Sequence, residues 1–186
     1  PILYILLKAK NTGIISTWGL AGAIATNEPS GEGAEEASAK GGAAGSGQFG
    51  LAVSGDVGMS TIEETIKAYL NDVTLDTKAH NLDLKAVSDN SIDAVSGSAS
   101  LAVSQGKGTS IGIAGSVSSN EINSDIEAFI LDSDINNSVQ GGDIALSSDY
   151  TGDIWALSAG ASGSMAMTGV AVAGSVSIND LNVKNL

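Results

Sequence analysis

Few residues in this chain are of types that do chemistry. His80 is the only histidine, and there is no cysteine, so a Ser-His-Asp arrangement would have to use His80 and a zinc site lacks its ligands. Between Lys78 and Asn81, His80 reads as a solvated turn residue. Asp132-Ser133-Asp134 puts two carboxylates at a spacing that shares one face of a strand, and Asp72 and Asp76 stand in the equivalent earlier stretch. Paired carboxylates can hydrolyse glycosides or bind calcium. Yet the chain has no Arg to hold a sugar acid bidentately and no G-G-x-G-x-D run, so a solvated acidic face is the expectation.

The remaining candidates are weaker. Gly106-Lys107-Gly108-Thr109-Ser110 lacks the first Gly of a phosphate loop, and Gly108 stands where Ser or Thr should follow Lys. Gly160-Ala161-Ser162-Gly163-Ser164 lacks the final Gly of a nucleophile elbow. Trp18 and Trp155 would stack on sugars if exposed, but indoles at such strand ends are expected to pack in or cap a core. Asn136-Asn137-Ser138 is formally a glycosylation sequon, with meaning only in a eukaryotic secretory context. No catalytic, cofactor-binding or metal-binding residue is assigned, no cofactor is expected, and the chain is not expected to be an enzyme.

The elements that would position any site are strands. Among 186 residues aromatics are 4%, and the apolar content is Ala, Val, Ile and Leu, which suits closely stacked strands better than a helical bundle. Net charge is −13, from 21 acidic residues and 8 lysines, which argues against nucleic acid and anionic membranes as partners. Lack of Cys fits export of an unfolded chain without thiol scrambling. Pro1 to Leu7 is too short to span a bilayer and has no basic leader or cleavage site, so it reads as a strand.

Internal repetition organises the chain. Gly55-Asp56-Val57-Gly58 returns as Gly115-Ser116-Val117-Ser118 and Gly174-Ser175-Val176-Ser177, and Ile66-Lys67-Ala68-Tyr69 as Ile126-Glu127-Ala128-Phe129. Ile5 to Ala9 mirrors Leu82 to Ala86, and Leu82-Asp83-Leu84 returns as Ile144-Ala145-Leu146. The reading is a partial repeat 1–26, a low-complexity loop insertion 27–48, repeats 49–109 and 110–168, and a partial repeat 169–186, the chain being a piece of a longer one. Period-two alternation sets Val170, Val172, Gly174, Val176 and Ile178 against Ala171, Ala173, Ser175, Ser177 and Asn179. The valines, Val117 and Val176 among them, are expected to point inward. Gly142-Asp143-Ile144 and Gly152-Asp153-Ile154, ten residues apart, suggest about three rungs of some twenty residues per repeat.

Three motifs carry a family resemblance: Gly174-Ser175-Val176-Ser177-Ile178-Asn179, Ala128-Phe129-Ile130-Leu131-Asp132 and Gly142-Asp143-Ile144-Ala145-Leu146. Together they resemble the repeats of leukotoxin-like filamentous adhesins and related two-partner-secreted haemagglutinin-type proteins, over nearly all the chain outside the insertion. The resemblance implies an all-β, right-handed parallel β-helix, or β-solenoid, with repeats near 60 residues. It also implies export to the bacterial cell surface and a structural or adhesive stalk. A left-handed trimeric β-roll is the alternative fold. The expected partners are a host or neighbouring-cell surface, or self-association through solenoid ends, with neither nucleic acid nor direct membrane insertion. The alternative functions are a carbohydrate-active β-helix using Asp132, Asp134 and Trp155, and a self-assembling filament subunit.

Overall fold

The structure, a computed structural model, describes residues 4–27, 42–44, 49–78, 80–104, 108–136 and 142–186. Among these the chain is all-β: β1 (Tyr4–Asn27), β2 (Gly42–Ala44), β3 (Phe49–Asn71), β4 (Thr74–Asp76), β5 (Asn81–Ser104), β6 (Thr109–Leu131), β7 (Asp134–Asn136), β8 (Ile144–Met165) and β9 (Thr168–Asn185). Two large sheets have strand orders β1-β5-β8 and β2-β3-β6-β9, and β4 and β7 make a small third sheet. The long strands pair parallel within each sheet. Only β2 runs antiparallel, with Gly42 opposite Ala52.

The pairing register is unbroken along whole strands. Val57 lies beside Val117 and Ile66 beside Ile126, while Val117 lies beside Val176. In the other sheet Ile15, Ile92 and Ile154 are neighbours. Like residues therefore stack in columns at the usual strand spacing, each column crossing one sheet. Two strands of 22 to 24 residues and one short bend strand occupy each 60-residue interval. This replaces the expected three rungs of twenty. Gly152-Asp153 sits in mid-strand, not at a turn: Gly152 leaves space for the Tyr150 phenol, since a Cβ there would come within 2.5 Å of its oxygen.

Parity decides which side chains lie between the sheets. Toward the β4/β7 bend the inner positions are Ile66, Ala68, Leu82, Leu84, Ala86, Ile126 and Ala128, a buried apolar cluster. The outer positions of the same stretch are Glu63, Lys67, Asp83, Glu121, Asp125 and Glu127. Because each strand continues without a bulge, the same parity holds to its other end. There it places Ala52, Ser54, Ser96, Ser98, Ser100, Ala102, Ala114, Ser116 and Ser118 inside, all buried.

The expectation that the valines point inward is thereby overturned. Val117 is 38% exposed and Val176 53%, whereas Ser116 and Ser118 are 2% and 0%. The cause is sheet separation. A Cβ on Gly112 would lie 2.5 Å from the Gly163 carbonyl oxygen, and one on Gly160 would lie 2.7 Å from that of Gly174. Ala, Ser and Gly fit between backbones this close, and the larger Asp56 enters only opposite Gly19, where a Cβ would strike its carboxylate.

Most of the 27–48 insertion lies outside the described residues, as do Gly106, Lys107 and Asn137. Among the described residues no helix is long and apolar enough to cross a membrane.

The parity makes a direct prediction. Ser118→Asp should cost about 3–5 kcal/mol, because it buries an unpaired carboxylate between the sheets. Val117→Asp, one residue away, should cost about 1 kcal/mol or less. Urea denaturation of the two variants checks the order; equal costs, or the reverse, would return the valines to the interior.

Candidate functional site

One polar layer between the sheets separates the apolar cluster at the bend from a second made by Ile92, Ala94 and Ile122. Its centre is Glu64, an inner-face residue of β3. Glu64 Oε1 accepts hydrogen bonds from the Ser88 hydroxyl and, at 2.8 Å, from that of Ser124; Oε2 accepts from Asn11 Nδ2 at 2.6 Å. Asn90 Nδ2 donates to Ser88 Oγ at 2.9 Å, and the half-buried Tyr150 phenol packs nearby. The donors come from β1, β5 and β6, so the carboxylate ties both sheets together.

Electrostatics fix the protonation of this layer. Burial alone would raise the Glu64 pKa, but hydrogen bonds from Ser88, Asn11, Asn90 and Ser124 outweigh it and hold the carboxyl below its ordinary range. Burial, with the negative charges of Glu64 and Asp153, pushes the Tyr150 phenol up. At neutral pH the pair is a fixed carboxylate beside a neutral phenol. Neither is poised to exchange a proton. The layer is a structural tie whose donors were invisible in sequence, because they lie 53, 24 and 60 residues from Glu64. The polar inner parity of Asn11, Ser88 and Ser124 was the available signal.

The acidic bend differs from the expected paired face. Asp132 has φ 44°, as Asp72 has φ 54°, so each occupies a left-handed position where the long strand ends. Asp134 begins β7 beyond that turn, and the two carboxylates do not share a strand face. Asp recurs because a short polar side chain tolerates left-handed backbone better than most residues. Ser133 finishes the turn: its Oγ donates to the Leu131 carbonyl at 2.7 Å and accepts from the Val73 amide at 3.2 Å. Asp76 is used locally, accepting from the Lys78 amide at 3.1 Å. Among the described residues no three His, Cys, Asp or Glu side chains gather where they could hold a metal ion.

His80 sits in the turn before β5, its amide donating to the Thr77 carbonyl at 2.9 Å. Trp18 and Trp155 do not cap a core: they are 79% and 52% exposed, in mid-strand on the outer face of the β1-β5-β8 sheet. Nor are they in one column, since Trp18 pairs with Val95 and Trp155 with Asp93. A shallow depression of about 300 Å³ lies between Leu7, Lys8 and Ala9 of β1 and Lys67, Ala68 and Tyr69 of β3. Its Lys67 is engaged by Glu127 at 2.8 Å. Comparison with family models, curated proteins and solved structures finds no match to this chain.

Two measurements test these roles. Hydrogen bonding favours ionised Glu64, so its contribution is present above the ordinary carboxylate range and is lost as pH falls through the lower folded pKa. The urea midpoint of the native chain should fall from about pH 5 to pH 3, and Glu64→Gln should flatten that decline; an unchanged slope would remove Glu64 from the account. At the bend, Asp132→Gly should alter stability by about 0.5 kcal/mol or less. Asp132→Val should cost about 1–3 kcal/mol. Equal losses would mean that the carboxylate matters and not the backbone.

Proposed function

We propose that this chain is a segment of a β-solenoid with repeats near 60 residues, serving as a structural and adhesive stalk at a bacterial cell surface. One observation carries the reading: whole strands repeat in parallel register, Gly55, Gly115 and Gly174 in one column and Ile15, Ile92 and Ile154 in another. Such stacking adds length with each repeat and leaves outward residues free to vary without disturbing the interior. The motif resemblance to filamentous adhesins and the lack of Cys support placement outside the cell, facing a host or neighbouring cell.

The exposed indoles favour a second reading. Trp18 and Trp155 flank β5 on one outer face, where an aromatic surface can stack on sugar rings. This makes glycan binding, and not cleavage, the carbohydrate function to consider.

Immobilised chain should retain cells, and the double variant Asp132→Asn, Asp134→Asn should retain them equally. Release of new reducing ends from an acidic or neutral polysaccharide, lost in that double variant with its β-structure intact, would replace the stalk with an enzyme. Trp18→Ala with Trp155→Ala should weaken retention only if the attachment is to glycan.

A further inference from the structure

The outer face of the β3-β6-β9 sheet carries no charge over five successive columns. These are Leu51/Ile111/Val170, Val53/Ile113/Val172, Gly55/Gly115/Gly174, Val57/Val117/Val176 and Met59/Ser119/Ile178. Val53, Val57, Met59, Val170, Val172, Val176 and Ile178 are each about half exposed or more. A contiguous apolar face of this kind on a chain of net charge −13 marks a surface that is covered in use. We infer that it is covered by the same face of a second copy, the two sheets packing face to face with their strands antiparallel.

Relief, area and charge select that occupant. A ridge of three identical valines stands beside a groove of three glycines, each running across all three strands. Among the described residues nothing requires those glycines. None is in the left-handed region, a Cβ on Gly55 or Gly115 would make only ordinary contact at 3.7 or 3.9 Å, and one on Gly174 would meet nothing within 4 Å. Glycine inside a strand weakens it and is kept where another chain approaches closely. A two-fold axis parallel to the columns sets the valine ridge of each copy into the glycine groove of the other, reciprocally. A lipid surface has no use for such a groove.

Charge sets the orientation. Thr61, Glu121 and Asp180 form the next outer column toward the bend, and Glu63 lies one column further. Parallel strands would lay the Glu121 column against its own copy; antiparallel strands carry it to the rim of the contact, beside the partner's uncharged Leu51/Ile111/Val170 column. The area sets the strength. Eight residue rises by three strands span about 26 by 14 Å, or about 370 Å² per partner. A standard stable interface takes roughly 800 Å² per partner, so three strands give a weak, concentration-dependent pair that strengthens with each added repeat.

The inference rests on the same stacked register as the solenoid reading, and sedimentation velocity over a hundredfold concentration range, with circular dichroism alongside, separates the two. The native chain should show reversible dimerisation. Gly115→Val should fill the groove and weaken association by about tenfold or more while leaving the denaturation midpoint unchanged or raised. Val117→Ser should weaken it from the ridge side, and serves if the first variant folds poorly. A folded chain that stays monomeric throughout, or association that neither variant weakens, overturns the face pairing and leaves the solenoid standing. A monomer that floats with phosphatidylcholine vesicles, indifferent to Gly115→Val, overturns it in favour of lipid. Loss of β-structure in the native chain would sink both readings.

Discussion

The close approach of the two large sheets away from the bend is the constraint from which most of the molecule follows. Backbones near enough that a Cβ at Gly112 would strike the Gly163 carbonyl leave room for only one or two heavy atoms per side chain, save opposite Gly19, where Asp56 enters. Leu, Ile and Val are excluded there by volume, whatever their hydrophobicity. Small residues then fill the interior by necessity. Because Ala alone cannot satisfy polar neighbours, serine hydroxyls link the sheets, as where Ser116 and Ser158 meet at 2.9 Å and Ser116 Oγ reaches the Ala159 carbonyl.

An interior of this composition buries little apolar area, so cohesion must come from elsewhere. Toward the bend it comes from the Ile and Leu cluster around Leu82 and Ile126. At the other end it comes from the backbone ladder, which is unbroken in register from Thr109 to Leu131 against β3 and from Thr109 to Ile126 against β9. Among the described residues several buried hydroxyls, Ser54, Ser98, Ser100 and Ser110 among them, find no hydrogen-bond partner. Their cost is a further reason why this half depends on the ladder and on the anchored half beside it. The outside of the bend half is laced by Lys67 with Glu127 and Lys184 with Asp125 and Glu127, while Tyr69 stacks on Phe129 at 5.2 Å. These exposed pairs order neighbouring strands more than they stabilise them.

The columns were legible in the sequence and their direction was not. Matching Gly55 with Gly115, or Leu82 with Ile144, requires only repetition, and the strand register agrees with each match. Alternation, by contrast, is symmetric: a period of two separates two faces without saying which is inner. Hydrophobicity assigned Val117 and Val176 inward, and volume reversed it. The deciding information was present at the other end of the same strand. Glu121, Asp125 and Glu127 share the parity of Val117, and Ile122 and Ile126 share that of Ser116 and Ser118. Three carboxylates in a row on β6 cannot all face the interior beside Ile126, where even the single Glu64 needs hydrogen bonds from three strands, so an unbroken strand forces the valines out. Reading the ten-residue spacing of Gly142-Asp143-Ile144 and Gly152-Asp153-Ile154 as a sign of short rungs broke the strands into pieces and hid this inference, since parity can be carried only along a strand known to be continuous.

The same geometry accounts for the recurrence of the acidic residues that first suggested chemistry. A site for catalysis needs unlike groups converging on one point, whereas in-register stacking brings like groups into rows. Asp72 and Asp132 recur because β3 and β6 each give way to a left-handed residue at the bend, and Ser133 recruits the neighbouring turn through Val73. Glu64 is the exception that shows the rule. It has no counterpart in its column, where Ser124 and then Val183 follow, and it collects donors from three other strands. Even there the hydrogen bonds all stabilise one charge state, which gives a rivet between sheets and not a proton donor. What varies freely from strand to strand is the outer surface, where Trp18, Val95 and Leu157 occupy one column. Recognition built on this fold therefore belongs to its outer faces, and the breadth of those faces grows with the number of strands stacked.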